Sequence, residues 1–253
     1  MSFFDKLFGT NTKNNSQSTD TKNSNFAFQL EKFLSELLSK NSYIARSDYY
    51  PFICQNVTEI EYLKKLQNDR LLENYCKQHK LDYSNIQKTI NNITNIQDLV
   101  GKHNQDFINN KLISEKDYLD NILKEVDPII QLDDDQRKVV LTDEDYCLVI
   151  AGAGAGKTTT VAAKVKYLVE KQNIKPEEIL VVSFTNKAVE ELRDKIKKQL
   201  NIDCPITTFH ASGNAILRKQ NEEKLNIIQN EKLYYVLENY FNESVLTNEK
   251  LVD

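Results

Sequence analysis

Residues 151–160 read AGAGAGKTTT and gather three of the chain's six glycines, Gly152, Gly154 and Gly156, into five positions. Glycine enters the left-handed backbone region without a Cβ penalty and lets the backbone lie close to a ligand. A run ending Gly156-Lys157-Thr158 calls for a strand before it and a helix after it. Both flanks fit. Cys147, Leu148, Val149 and Ile150 form a short apolar run bounded by turn residues, which reads as a buried strand. Residues 159–169 read as a helix with Val161, Val165, Leu168 and Val169 on one face. Amides turned inward by glycine, backed by a helix N-terminus, suit phosphate. Ala151, Gly152, Ala153, Gly154, Ala155, Gly156, Lys157, Thr158 and Thr159 are therefore the expected cradle for ATP. Lys157 would reach the β and γ phosphates and the Thr158 hydroxyl would ligate Mg2+, which makes these two the expected catalytic residues. Ala151 stands where the general pattern has Gly.

The flanking segments carry further chemistry. Asp133, followed three residues later by Gln136, is a helix-capping pattern over residues 133–141. Gln136 equally offers one donor and one acceptor to an adenine edge, and spacing alone leaves both roles open. Ile179, Leu180, Val181 and Val182 read as a second buried strand, ending in SFTNKA and followed by a charged helix over residues 189–200. Ile206, Thr207 and Thr208 read as a third, ending in Phe209 and His210. Strands alternating with helices imply a parallel sheet whose ligands gather at the carboxyl ends of its strands. Phe184, Phe209 and His210 fall at such ends, beside Thr185, Asn186 and Thr208. Aromatic rings next to hydroxyls and amides suit stacking on bases and gripping a sugar-phosphate chain, although each Phe taken singly reads as core.

Taken together, LDDDQR, AGAGAGKT, SFTNKAVEELR and TFHA resemble, in order and spacing, the motifs of the UvrD/Rep-like superfamily 1 helicases, most closely the helicase IV-like branch. In that family Ala is common at the position of Ala151. The resemblance runs over roughly residues 102–220. It implies an α/β fold, an incomplete RecA-like P-loop domain with a parallel sheet flanked by helices, preceded by an all-α N-terminal region. It also implies that Gln136 recognises adenine, that Gly154, Gly156, Lys157 and Thr158 hold phosphates and Mg2+, and that Phe184, Thr185, Asn186, Thr208, Phe209 and His210 contact single-stranded DNA. The activity implied is ATP-driven 3′-to-5′ movement along single-stranded DNA, coupled to duplex unwinding.

The same resemblance implies an Asp-Glu pair for magnesium and water activation, then a second motor domain. After Lys157 every acid of this chain reads as lying on a helix face or in a loop, and none follows an apolar strand. Asp143-Glu144 follows Val139-Val140-Leu141 but precedes the phosphate loop, and reads as a solvated loop. Phosphoryl transfer is mostly electrostatic positioning, so hydrolysis by this chain alone is not expected. The expectation is an N-terminal part of a helicase whose sheet lacks strands; the alternative is a free-standing module that binds ATP without hydrolysing it.

Three regions are expected: residues 1–25, 26–127 and 128–253. Residues 10–25 are rich in Asn, Ser, Thr and Lys and read as a disordered linker. Ahead of them Phe3, Phe4, Leu7 and Phe8 lie at helical spacing; an inert tail is favoured over a piece that docks on a partner protein or a membrane surface. Residues 26–126 read as helices, with a stripe of Phe26, Leu30, Phe33, Leu34, Leu37 and Leu38, a helix start or turn at Pro51, and further apolar positions at Ile60, Leu63, Leu66, Leu71 and Leu72. This region could serve as a protein-interaction domain. Two more helices are expected at residues 213–219 and 231–241. The net charge is −4, but residues 151–220 hold 12 Lys and Arg against 7 Asp and Glu, a local excess that suits nucleic-acid phosphates. Cys54, Cys76, Cys147 and Cys204 have neither metal nor redox spacing and read as reduced thiols in a cytoplasm, each either core or functionally neutral.

Overall fold

A computed structural model describes residues 16–220 and 230–245. The chain divides into two compact units, Met1–Gln172 and Asn173–Asp253.

The first unit is helical. Helix α1 (Ser16–Leu38) buries Phe26, Ala27, Leu30, Leu34 and Leu37 along one side, as the spacing predicts. It starts at Ser16, inside the stretch whose composition suggests a disordered linker. Once a packed stripe has nucleated a helix, each further turn costs little, so poor helix formers are drawn in. The amphipathic piece at residues 1–9 lies outside the described residues. Helix α2 (Tyr50–Gln55) opens with Pro51 in its first turn, where a missing N–H costs nothing. Helices α3 (Val57–Asn68), α4 (Leu72–His79), α5 (Tyr83–Thr94) and α6 (Ile96–Ser114) complete a core. Leu63, Leu72, Ile86 and Ile90 are fully buried there, and the Phe33 and Phe52 rings stack 3.9 Å apart at its edge.

The segment between α1 and α2 is tied to α6 by a buried asparagine. Asn104 accepts from the Ile44 amide at 2.8 Å and donates to the Ile44 carbonyl at 2.9 Å. Beside it, His103 Nε2 lies 2.9 Å from the Ser42 carbonyl. Helices α7 (Lys116–Asn121), α8 (Asp134–Leu141) and α9 (Lys157–Glu170) belong to the same unit, and α8 packs on both α6 and α9.

Two expectations are corrected here. Cys147, Leu148, Val149 and Ile150 do not form a buried strand: Leu148 is 85% and Ile150 90% exposed, and Cys147 is exposed rather than core. No strand is found among the described residues of this unit, so the extended segment has no neighbour to bond its amides, and a strand is stable only in company. Helix α9 is rotated from the predicted face: Val161 is exposed, whereas Ala162, Ala163, Val165 and Tyr167 are buried. Adjacent alanines let a neighbouring helix approach closely, which a count of bulky residues misses.

The second unit is α/β. Strands β1 (Val181–Ser183) and β2 (Ile206–Thr208) pair in parallel, Val181 opposite Ile206 and Ser183 opposite Thr208. Helix α10 (Asn186–Arg193) runs on into a π-helical turn (Asp194–Gln199) and forms the crossover between them. Val189, Leu192 and Ile196 on this crossover are buried, as are Val181, Cys204 and Ile206 of the sheet and its approach. Arg193 fastens it by donating to the Ile206 carbonyl at 2.8 Å. Among the described residues the sheet has these two strands only. Helices α11 (Phe209–Gln220) and α12 (Asn230–Tyr240) follow, close to the expected bounds.

Candidate functional site

The glycine run behaves as its composition demands. Gly154 and Gly156 take φ of 77° and 73°, in the left-handed region that side chains rarely enter. Gly156 is also the N-cap of α9, so the amides of the first helical turn have no carbonyl four residues back within the helix and face outward. Lys157 folds back over the loop, and its ammonium donates to the carbonyls of Ala151 at 3.0 Å and Gly152 at 2.6 Å. Ala151 and Thr158 are half-buried, and Gly152, Ala153, Gly154 and Ala155 are exposed. A phosphate chain fits this arrangement: open amides, positive helix end and one lysine.

Gln136 takes the capping role that its spacing allows and also bonds to the phosphate loop. It is the third residue of α8. Its Oε1 accepts from the Asp133 amide at 3.0 Å, while Asp133 Oδ1 accepts from the Gln136 amide at 2.8 Å, a reciprocal cap. Its Nε2 reaches across to the phosphate loop and donates to the Ala155 carbonyl at 3.2 Å. A Cβ built on Gly156 would stand 2.6 Å from that Nε2. Gly156 is thus needed twice, for its φ and for the room it leaves Gln136.

Both ends of α8 are held. Arg137 donates from Nε to the Leu132 carbonyl at 2.8 Å and pairs with Asp120 on α7 at 2.6 Å. At the other end the Lys164 ammonium, from α9, donates to the carbonyls of Val140 and Thr142. Helix α9 is tied to the preceding helices as well. Lys166, itself buried, pairs with Glu125 at 3.0 Å, Tyr118 donates to Glu170 at 2.8 Å, and Lys171 pairs with Glu115 at 2.8 Å. Burial, with Glu170 beside it, pushes the Tyr118 hydroxyl far up, so it stays a donor.

The acids at residues 143–145 are more than a solvated loop. Glu144 accepts from the Arg46 amide at 2.9 Å, and Asp145 accepts from the Ser47 amide at 2.6 Å and from its hydroxyl at 2.9 Å. They cap the 3-10 turn Arg46–Asp48 from 98 positions away. No local sequence signal announces a partner so distant.

Glu115 yields a pH prediction. Its hydrogen bond with Lys171 holds the carboxyl below its ordinary range, with Lys111 adding to the effect. A depressed carboxylate stabilises the fold above its unfolded pKa of about 4.3 and loses that contribution as pH falls through the lower folded value. Glu115→Gln should therefore melt earlier than the parent at neutral pH, and the gap should close as the pH is lowered past about 4. Thermal melts of both proteins across that range check it.

In the second unit the expected DNA-contacting residues come together at the carboxyl ends of the paired strands. Phe184 follows β1 and Phe209 follows β2; both are well exposed, at 81% and 71%, and so are not core. The His210 ring lies 6.5 Å from that of Phe184 and 6.3 Å from that of Phe209. Thr185 and Thr208 each use their hydroxyl as a helix cap, accepting from the amides of Ala188 and Ala211 at 3.2 Å. Asn186 is exposed at the start of α10. Aromatic rings are thus offered to solvent together at the carboxyl ends of the two strands. Among the described residues no group of three His, Cys, Asp or Glu side chains could hold a metal ion, and no helix is long and apolar enough to cross a membrane.

Residues 132–250 match the UvrD/REP helicase N-terminal domain. A probable DNA helicase II homolog of Mycoplasma capricolum is 37% identical over 121 residues, 45% of this chain and 17% of the relative. The ATP-dependent DNA helicase Rep of Buchnera aphidicola is 39% identical over 89 residues, 34% of this chain and 14% of the relative. The ATP-dependent DNA helicase PcrA of Leuconostoc citreum is 40% identical over 91 residues, 34% of this chain and 12% of the relative. The chain thus spans less than a fifth of the length of these three relatives.

Proposed function

We propose that this chain, whose residues 132–250 belong to the UvrD/REP helicase N-terminal domain family, is the ATP-binding N-terminal part of an ATP-dependent DNA helicase acting in the cytoplasm. The observation that carries the reading is the bond from Gln136 to Ala155, which seats an amide side chain beside a phosphate cradle. An amide has two N–H donors and an oxygen with two lone pairs. With one of each engaged internally, Gln136 still has one donor and one acceptor for the adenine edge. Lys157 exchanges the two loop carbonyls for the β and γ phosphates, the loop amides bind phosphate oxygens, and Thr158 offers its hydroxyl to Mg2+. Phe184, Thr185, Asn186, Thr208, Phe209 and His210 bind single-stranded DNA, the exposed rings against bases and the amide and hydroxyl groups along the backbone. Coupled to the remainder of a motor, such a half takes part in 3′-to-5′ translocation.

One observation favours a second reading, a module that binds ATP without hydrolysing it. The strands β1 and β2 end in Ser183 and Thr208, so neither presents an acid at the position from which an Asp-Glu pair would act on metal and water.

The test is nucleotide binding and hydrolysis by the purified 253-residue chain, with and without single-stranded DNA, beside Lys157→Ala. The expected result is ATP binding that weakens about tenfold or more in the variant, because a charge-assisted contact to phosphate is lost, and no turnover in either protein. DNA-stimulated turnover that disappears in Lys157→Ala would show that an acid within this chain completes the site. Failure to bind ATP at all would remove the nucleotide reading.

A further inference from the structure

We propose that Lys164 is a positioning residue for base selection: its ammonium fixes α8, and with it Gln136, against the helix that carries the phosphate loop. The inference rests on the reading of Gln136 as the adenine contact.

Helix α8 has eight residues. A helix this short does not hold its shape alone and takes its position from what grips it. Gln136 lies in its first turn, and Lys164 grips its end. The Nζ of Lys164 donates to the Val140 carbonyl at 2.8 Å and to the Thr142 carbonyl at 2.6 Å. These groups lie at the end of α8, where helical carbonyls lack intrahelical donors and the dipole is negative. Lys164 spends its hydrogen bonds on these carbonyls, with Asp143 close enough to act on its charge and the Tyr167 ring 5.9 Å from its ammonium. Burial pushes its pKa below the ordinary lysine value, so the contact is held against a desolvation cost. Lys164 stands seven residues after Lys157 on the same helix, about 10 Å along its axis. One rigid rod therefore fixes the phosphate contact at one end and the placement of α8 farther along. Phosphate binding does not need α8 in register; reading a base through an amide does.

The experiment measures the affinities of the full chain and its variants for ATP, GTP and inorganic tripolyphosphate by calorimetry. In Lys164→Met the ratio of ATP to GTP affinity should fall about tenfold, as expected for a misplaced hydrogen-bonding group, with tripolyphosphate affinity unchanged within about twofold. Lys164→Arg, which keeps a charge and donors, should restore the ratio. Should Lys164→Met fail to fold, Lys164→Gln, whose amide stops one bond short of the carbonyls of Val140 and Thr142, should show the same fall in the ratio. An unchanged ratio, or an equal loss for all three ligands, overturns the proposal. Gln136→Ala separates the two levels. If it leaves the ratio intact, the adenine reading itself fails and the inference with it. If it abolishes the ratio while Lys164→Met does not, only the role of Lys164 is wrong.

Discussion

Gly156→Ala is expected to weaken ATP binding by about tenfold to a hundredfold while leaving the helical core intact. Two costs combine. An alanine held at φ near 73° carries a left-handed strain of about 1–2 kcal/mol. Its Cβ would also stand 2.6 Å from Gln136 Nε2, so the glutamine must leave. Leaving breaks its bond to Ala155 and releases the Asp133 amide from Oε1. Gly152→Ala is the matched control, since a Cβ there meets no protein atom within 4 Å and the φ at Gly152 is not positive. Calorimetry reads the affinity, and amide exchange at Asp133 reads the displacement. Fast exchange in Gly156→Ala and protection in Gly152→Ala is the expected pair. Equal protection in both would mean that Gly156 matters for strain alone.

The second large effect is on stability. Asn104→Leu keeps the branched heavy-atom shape and removes both polar atoms, stranding the buried amide and carbonyl of Ile44. Each stranded buried group costs about 1–3 kcal/mol, so the first unit should lose about 2–6 kcal/mol. Urea unfolding followed by hydrogen-exchange mass spectrometry should show residues 42–46 and α6 opening first. A loss below about 1 kcal/mol would mean that water replaces the amide at no cost.

What could be read from the sequence was local. Asp133 and Gln136 announced α8 because a cap is written within four residues. Ser183, Phe184 and Thr185 marked a strand end because an apolar run stops there against a helix cap, and Ile206 to Phe209 repeats the pattern. The run at residues 147–150 misled for a matching reason: apolarity reports a tendency to be covered, but not whether a neighbouring strand exists. Glu144, Asp145 and Lys166 were opaque because charge at the sequence level reads as solvation. Their partners, Arg46, Ser47 and Glu125, lie 41 to 98 positions away. The bond from Gln136 to Ala155 spans 19 positions and is neither the cap nor the adenine contact that the spacing suggests.

The ties from α8 and α9 to the helices before them bear on how this protein can change over time. Arg137 with Asp120, Lys166 with Glu125, and Lys171 with Glu115 each join a residue inside the family match to one outside it. A substitution of Arg137, Glu125 or Lys171 leaves its partner only the local contact it keeps, with Lys116 for Asp120, Glu170 for Lys166 and Lys111 for Glu115. Residues 132–171 and the helical region before them therefore constrain each other's substitutions, since a change at one of these positions is felt at its partner.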